Sequence, residues 1–205
     1  MADYIWQYLD FLGVAVFALT GGLVAARLKL DLIAFLFFCS FTGMGGGTLR
    51  DLLLGVPIFW VENEAYLIVC ACVTVFMWFG AHIVEAFDKP LRWLDAVGLS
   101  AYSVMGAAKA LSVGDHFFVA ILMGVATATF GGIIRDVVAS QPSALIQRDV
   151  YLAAAFAGAC LYTVIDALTG ASNIASLVAL SAALFLRGGA IMMDWKLPVY
   201  TPRRK

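Results

Sequence analysis

"FTGMGGGTLRDLLLGVP", residues 41–57, puts four glycines into five positions (Gly43, Gly45, Gly46, Gly47) and follows them closely with Arg50-Asp51. A glycine costs a helix interior about 1 kcal/mol against alanine. A charge at the centre of a bilayer costs about 3 kcal/mol or more. Both stand here inside a continuous apolar run, so what surrounds the stretch decides how it is to be read.

The surroundings are those of a membrane protein. The chain has 205 residues, of which 63% are hydrophobic and 13% charged, and its mean hydropathy is +0.94. A soluble domain is nearer half apolar and a quarter charged. Runs of the length a bilayer requires, about 20 residues, recur at 4–26, 32–54, 65–87, 93–112, 117–139, 150–169 and 174–193. Residues 1–205 therefore read as a single all-α transmembrane domain with seven transmembrane helices and short loops. Asp3 stands where a signal peptide carries Lys or Arg, so the first span is expected to be retained. Alternate loops sort the charges: Arg27, Lys29, Lys89, Arg92, Arg148, Lys196, Arg203, Arg204 and Lys205 fall on one side, and Asp3, Glu62, Glu64 and Asp115 on the other. The basic side is expected to be cytoplasmic, with the C-terminus inside and the N-terminus outside. A net charge of −1 gives no reason to expect a nucleic-acid partner; the lipid bilayer is the partner composition demands. Cys39, Cys70, Cys72 and Cys160 all fall in apolar spans and read as small hydrophobes. His82 and His116 are isolated, and no metal site is expected.

The chain also repeats itself. In one ungapped register, 85 positions apart, Leu9-Asp10 falls on Leu94-Asp95, Gly13 on Gly98 and Gly21 on Gly106. Further along, Gly46-Gly47 falls on Gly131-Gly132, Arg50-Asp51 on Arg135-Asp136, Pro57 on Pro142, and Tyr66-Leu67 on Tyr151-Leu152. Repeat one covers about 4–87 and repeat two about 93–169, with the helix at about 174–193 left over. Each repeat holds three spans, so the second must enter the membrane from the opposite side. Two inverted three-helix repeats plus a seventh helix are the expected architecture.

The quoted stretch and its copy, "FGGIIRD", lie in the second and fifth spans. Small residues permit close helix packing; alternatively the glycines break or kink both helices and expose backbone to a polar cavity. Close packing asks for glycines four apart on one face, and the consecutive run favours the break. The charges inside spans are the other anomaly. Arg50 and Asp51, like Arg135 and Asp136, diverge by about 100° on a helix and are not expected to pair with each other. Each unit reads as a lock between helix ends or as a gate. Lys109 stands opposite Val24 of the first repeat; it either snorkels to the outer interface or places a charge in the pathway. Arg187 is expected to snorkel inward. Asp10 and Asp95 are either helix-start anions or acids at a pore mouth. Tyr4, Trp6, Tyr8, Trp60, Trp93, Trp195 and Tyr200 lie near span ends as an aromatic belt. With no nucleophile–base pair and no phosphate loop, the chain is not expected to be an enzyme.

Seven spans, the tandem three-helix repeat, "GGGTLRDLLLG" followed by "PIFW", and "FGGIIRD" in the second copy resemble the prokaryotic trimeric intracellular cation (TRIC) channel family, whose bacterial members are often labelled glycine-transporter-domain proteins. The resemblance implies a homotrimer in a bacterial inner membrane, each protomer with its own pore between the two repeats. Its narrowest part would lie at Gly45, Gly46 and Gly47 and at Gly131 and Gly132, with Phe130 where a third glycine would complete the second motif. The function it implies is a monovalent cation channel for potassium, and for sodium as well, with no cofactor beyond the permeant ions. Thr42, Thr48, Thr127 and Thr129 would add hydroxyl ligands along the pathway. Arg50, Asp51, Lys109, Arg135 and Asp136 would serve as gating groups or charge pairs. Inverted repeats suit alternating access equally, so the alternative is a secondary transporter of a small amphoteric solute such as glycine.

Overall fold

The computed structural model describes residues 2–84, 88–143 and 150–198, with the backbone alone for 2–9, 81–84 and 88–90. The side chains of Asp3, Tyr4, Trp6, Tyr8, His82 and Lys89 lie outside the described residues, as do the end of the third span at 85–87, Arg148, Tyr200, Arg203, Arg204 and Lys205. The described backbone forms helices α1 (Ala2–Arg27), α2 (Leu32–Leu54), α3 (Phe59–Glu62), α4 (Ala65–Val84), α5 (Asp88–Val113), α6 (Phe117–Val138), α7 (Tyr151–Thr169) and α8 (Ser172–Met193). All but α3, α4 and their loops hold stretches long and apolar enough to cross a membrane, six in all; the described apolar part of α4, Ala65–Gly80, is shorter. The chain is an all-helical, multi-pass membrane protein.

Capping residues mark some of the helix ends. Asp31 Oδ1 accepts the Ala34 N–H at 2.8 Å and opens α2, as an N-cap carboxylate does. The stops recur at the repeat interval. Lys29 (φ 54°) and Gly114 (φ 95°) are left-handed after α1 and α5, and Gly55 (φ 66°) and Ser140 (φ 51°) after α2 and α6. The backbone bonds recur with them: Leu30 N to Ala25 O and Asp115 N to Ala110 O, then Val56 N to Asp51 O and Gln141 N to Asp136 O. The described part of α5 reaches back to Asp88, ahead of the expected residue 93. The four-residue α3 is too short to leave a periodic signal in the sequence.

α1 packs against α2 and α4, and α5 against α6 and α7; α8 lies along α7 and α5, and the two sets meet through α2 on α6 and α1 on α5. The interior combines Val14, Phe17, Leu99 and Tyr102 with small residues such as Ala18, Ala154 and Ala155. Among helices in lipid, close packing rather than release of water holds such an interior together. Ile33, Phe79, Phe118 and Leu168 face outward.

Neither α2 nor α6 is broken at its glycines: both are helical throughout. The expected break gives way to close packing. A Cβ at Gly46 would fall on the Thr127 carbonyl oxygen, and one at Gly131 on the Thr42 carbonyl oxygen, both far inside contact distance. The two pairs run in opposite senses, so α2 and α6 cross antiparallel with backbone against backbone. Gly21 and Gly106 repeat the device, against the carbonyls of Phe38 and Met123. The spacing argument failed because the consecutive glycines serve different neighbours: Gly45 faces Ile134, Gly46 faces Thr127 and Gly47 faces Phe59.

Candidate functional site

Polar groups gather at two places, one on each side of the α2–α6 crossing. At the first, the C-terminal half of α2 carries Arg50 and Asp51, both buried. Arg50 Nε donates to Asp51 Oδ1 at 2.8 Å, and Asp51 Oδ2 accepts the Phe59 N–H at 3.0 Å. The Arg50 guanidinium also lies 5.9 Å from the centre of the Phe59 ring, within reach of cation–π attraction. From α1, Asp10 Oδ2 accepts the Tyr66 hydroxyl at 2.7 Å. Asp10, Arg50, Phe59 and Tyr66 border a cavity of about 450 Å³, which Lys109 and Tyr162 help to line. Lys109 is exposed and makes no ion pair among the described residues.

The second place holds the counterparts. Arg135 Nε donates to Asp136 Oδ1 at 2.9 Å. Its Nη1 donates to Asp95 Oδ1 at 3.1 Å and to Thr20 Oγ1 at 2.9 Å, and its Nη2 lies 2.8 Å from Asp136 Oδ1. Arg135, Asp95 and Asp136 are 5%, 4% and 6% exposed. Tyr151 is buried beside them: a Cβ at Gly132 would come 3.0 Å from its hydroxyl and 3.6 Å from Asp95 Oδ1. Arg187 covers the Tyr151 ring at 5.2 Å from its centre.

Three expectations change. Each Arg-Asp pair does bond within itself. Adjacent Cβ atoms diverge, but an arginine is long enough to fold back along its helix, and a buried charge is costly until it is paired. Arg187 does not snorkel; it is 3% exposed, because the Tyr151 face gives its guanidinium a seat inside the protein. Asp10 and Asp95 do not open their helices, which start at Ala2 and Asp88.

The remaining expected pathway residues fall in different places. Gly46, Gly131 and Thr127 form the crossing, where Thr127 Oγ1 donates to the Met123 carbonyl. Thr129 Oγ1 donates to the Val125 carbonyl at 2.8 Å, inside α6. Gly45 and Thr48 face a separate, apolar groove of about 350 Å³ with Trp60, Phe130 and Ile134. There Thr48 Oγ1 accepts Trp60 Nε1 at 2.9 Å and donates to the Met44 carbonyl. Gly47 seats Phe59, and Gly132 borders the Arg135 site. Sequence reasoning left Tyr66, Tyr151, Phe59 and Thr20 out of the site, and held Asp10 and Asp95 as pore-mouth acids in only one of two readings. The signal for the two tyrosines was present, since Tyr66 and Tyr151 coincide in the repeat register as Asp10 and Asp95 do.

Comparison with known proteins agrees with this architecture. The profile of the glycine transporter family matches residues 7–82 and again residues 92–167, two matches that begin 85 positions apart. A UPF0126 membrane protein of Vibrio cholerae is 36% identical over 199 residues, covering 94% of this chain and 81% of the relative. The UPF0126 inner membrane protein YadS of Escherichia coli is 34% identical, covering 94% and 95%. Among solved structures, the TRIC trimeric intracellular cation channel orthologue of Rhodobacter sphaeroides superposes with a TM-score of 0.90 at 42% identity, over 93% of this chain and 99% of that one. A fold shared almost end to end, a profile matched in both halves and relatives above 30% identity along nearly the whole length make this chain a member of the prokaryotic trimeric intracellular cation channel family, within the group that carries the glycine transporter profile.

Proposed function

We propose that the protein is a monovalent cation channel, selective for potassium with sodium also permeant, working as a homotrimer in a bacterial inner membrane. Each protomer carries its own path. The path enters the cavity bounded by Asp10, Arg50 and Lys109 and leaves past Asp95 and Arg135. Seven helices cross the bilayer, with the N-terminus outside and the C-terminus in the cytoplasm, and the two three-helix repeats are inverted about the α2–α6 crossing. The antiparallel contact of Gly46 with Thr127 and of Gly131 with Thr42 supports that inversion.

The observation that carries the reading is the charge arrangement at the two ends. Arginines in a cation path would repel the permeant ion. Here Asp51 and Asp10 stand about Arg50, and Asp136 and Asp95 about Arg135. Each end sets two carboxylates about its helix arginine, with Arg187 held on the Tyr151 ring at the second, so a passing cation meets a neutralised Arg50 or Arg135. Arg50, Asp51, Arg135 and Asp136 thus serve as charge pairs at the two ends of the path. Purified protein in a planar bilayer tests this directly. Potassium currents in discrete steps are the expected result; saturable uptake of labelled glycine without any such steps would overturn it in favour of a carrier.

Lys109 is the charge at the cavity that lacks a carboxylate partner among the described residues. Lys109→Glu should therefore raise single-channel potassium conductance several-fold at low salt, by concentrating cations in the cavity. The difference should shrink toward 1 M salt, where the Debye length is about 3 Å. Conductance measured across a salt series checks both halves of the expectation.

A further inference from the structure

The two charged sites are copies of one another, yet the contacts of their arginines differ: Arg135 reaches Asp95 and Thr20 as well as Asp136, whereas among the described residues Arg50 bonds Asp51 and the counterpart of neither. At the second site Arg135 Nη1 donates to Thr20 Oγ1 at 2.9 Å. Thr20 is buried and its own hydroxyl donates to the Phe17 carbonyl at 2.7 Å, which leaves its lone pairs turned to the guanidinium. Thr20 belongs to α1 in the first half of the chain, whereas Arg135, Asp95, Asp136 and Tyr151 belong to the second. The Thr20–Arg135 bond therefore ties the two halves together at this end. The position 85 residues after Thr20 is Met105, which lines the cavity beside Arg50. A thioether carries no hydroxyl and is only a weak acceptor, so Arg50 has no such tie to α5.

We propose that Thr20 is the positioning residue that holds the path shut at the Arg135 end, and that Met105, in the equivalent place, leaves the Arg50 end open. Opening the Arg135 end requires the guanidinium to leave the Thr20 hydroxyl while it keeps Asp136 on its own helix. Asp95 stays with the second half in either state, so the hydroxyl of Thr20 is the contact given up. A hydrogen bond to a charged group shifts an equilibrium by about tenfold or more. Thr20→Val, which keeps the shape and removes the acceptor, should raise the open fraction by about that factor.

This inference rests on the channel reading, and the experiment separates the two. Wild type, Thr20→Val, Thr20→Ser and Met105→Thr are reconstituted in liposomes for potassium flux and in nanodiscs for hydrogen–deuterium exchange over residues 91–99 and 131–138. Thr20→Val should raise flux about tenfold and raise exchange over both segments, Thr20→Ser should match wild type, and Met105→Thr should lower flux. A Thr20→Val protein with wild-type flux and exchange overturns the proposal. If no variant passes potassium but Thr20→Val alone raises exchange at 91–99 and 131–138, the latch stands and the channel reading falls. If no variant passes potassium and exchange does not respond to Thr20→Val either, both fall.

Discussion

Gly46→Ala is expected to lower the apparent Tm of the detergent-solubilised protein by about 10 °C. By helix propensity alone the change should stabilise α2 by about 1 kcal/mol. The added methyl, however, would fall on the carbonyl oxygen of Thr127, which is backbone and has no rotamer to change. The α2–α6 crossing must separate, and forced overpacking of this kind costs on the order of 3 kcal/mol; in a protein of this size each kcal/mol is worth about 2–4 °C. Gly131→Ala should behave alike, against the Thr42 carbonyl. Gly80→Ala supplies the control, because nothing lies within 4 Å of a Cβ there, and it should be neutral or slightly stabilising. A Gly46→Ala protein that melts at or above the wild-type temperature would show that the crossing has slack.

Arg135→Met is expected to be the most damaging single change among the charged groups. It removes the cation shared by Asp95 and Asp136 and leaves two carboxylates buried. Breaking a buried ion pair from one side costs about 3–5 kcal/mol, enough to leave little monodisperse protein after extraction. Adding Asp95→Asn should recover part of that loss, since replacing both partners costs far less than orphaning one. Yield of monodisperse protein and its thermal midpoint, measured for the single and double variants, check the expectation. Equal damage from both would mean that Asp95 and Arg135 do not depend on one another.

The helices were legible because their punctuation is chemical. Asp31 before α2 and Gly55 with Pro57 after it place that element at residues 32–54, as the structure has it. The repeat was legible because Gly, Arg, Asp and Pro coincide in one register. Which neighbour each glycine faces was not legible, because that is a property of the partner helix. The bonding of Arg50 to Asp51 was missed for a related reason: Cβ directions describe where a side chain starts, while an arginine ends several bonds away. Tyr66 and Tyr151 stood in register but resembled ordinary core aromatics until their acids, Asp10 and Asp95, were seen beside them. Thr20 escaped because self-comparison rewards matches, and what distinguishes its site is the mismatch with Met105.

The crossing glycine and the arginine that follows it are four residues apart in both halves, Gly46 to Arg50 and Gly131 to Arg135. Four residues are about 6 Å of helix and a little over one turn, so the interval works as a ruler. It sets both how far each guanidinium stands from the point where α2 and α6 touch and which way it points. One residue inserted inside that interval would leave the crossing in place and swing the arginine about 100° round the helix, away from its carboxylates. Neither four-residue interval can therefore change length without moving the charges of the proposed path.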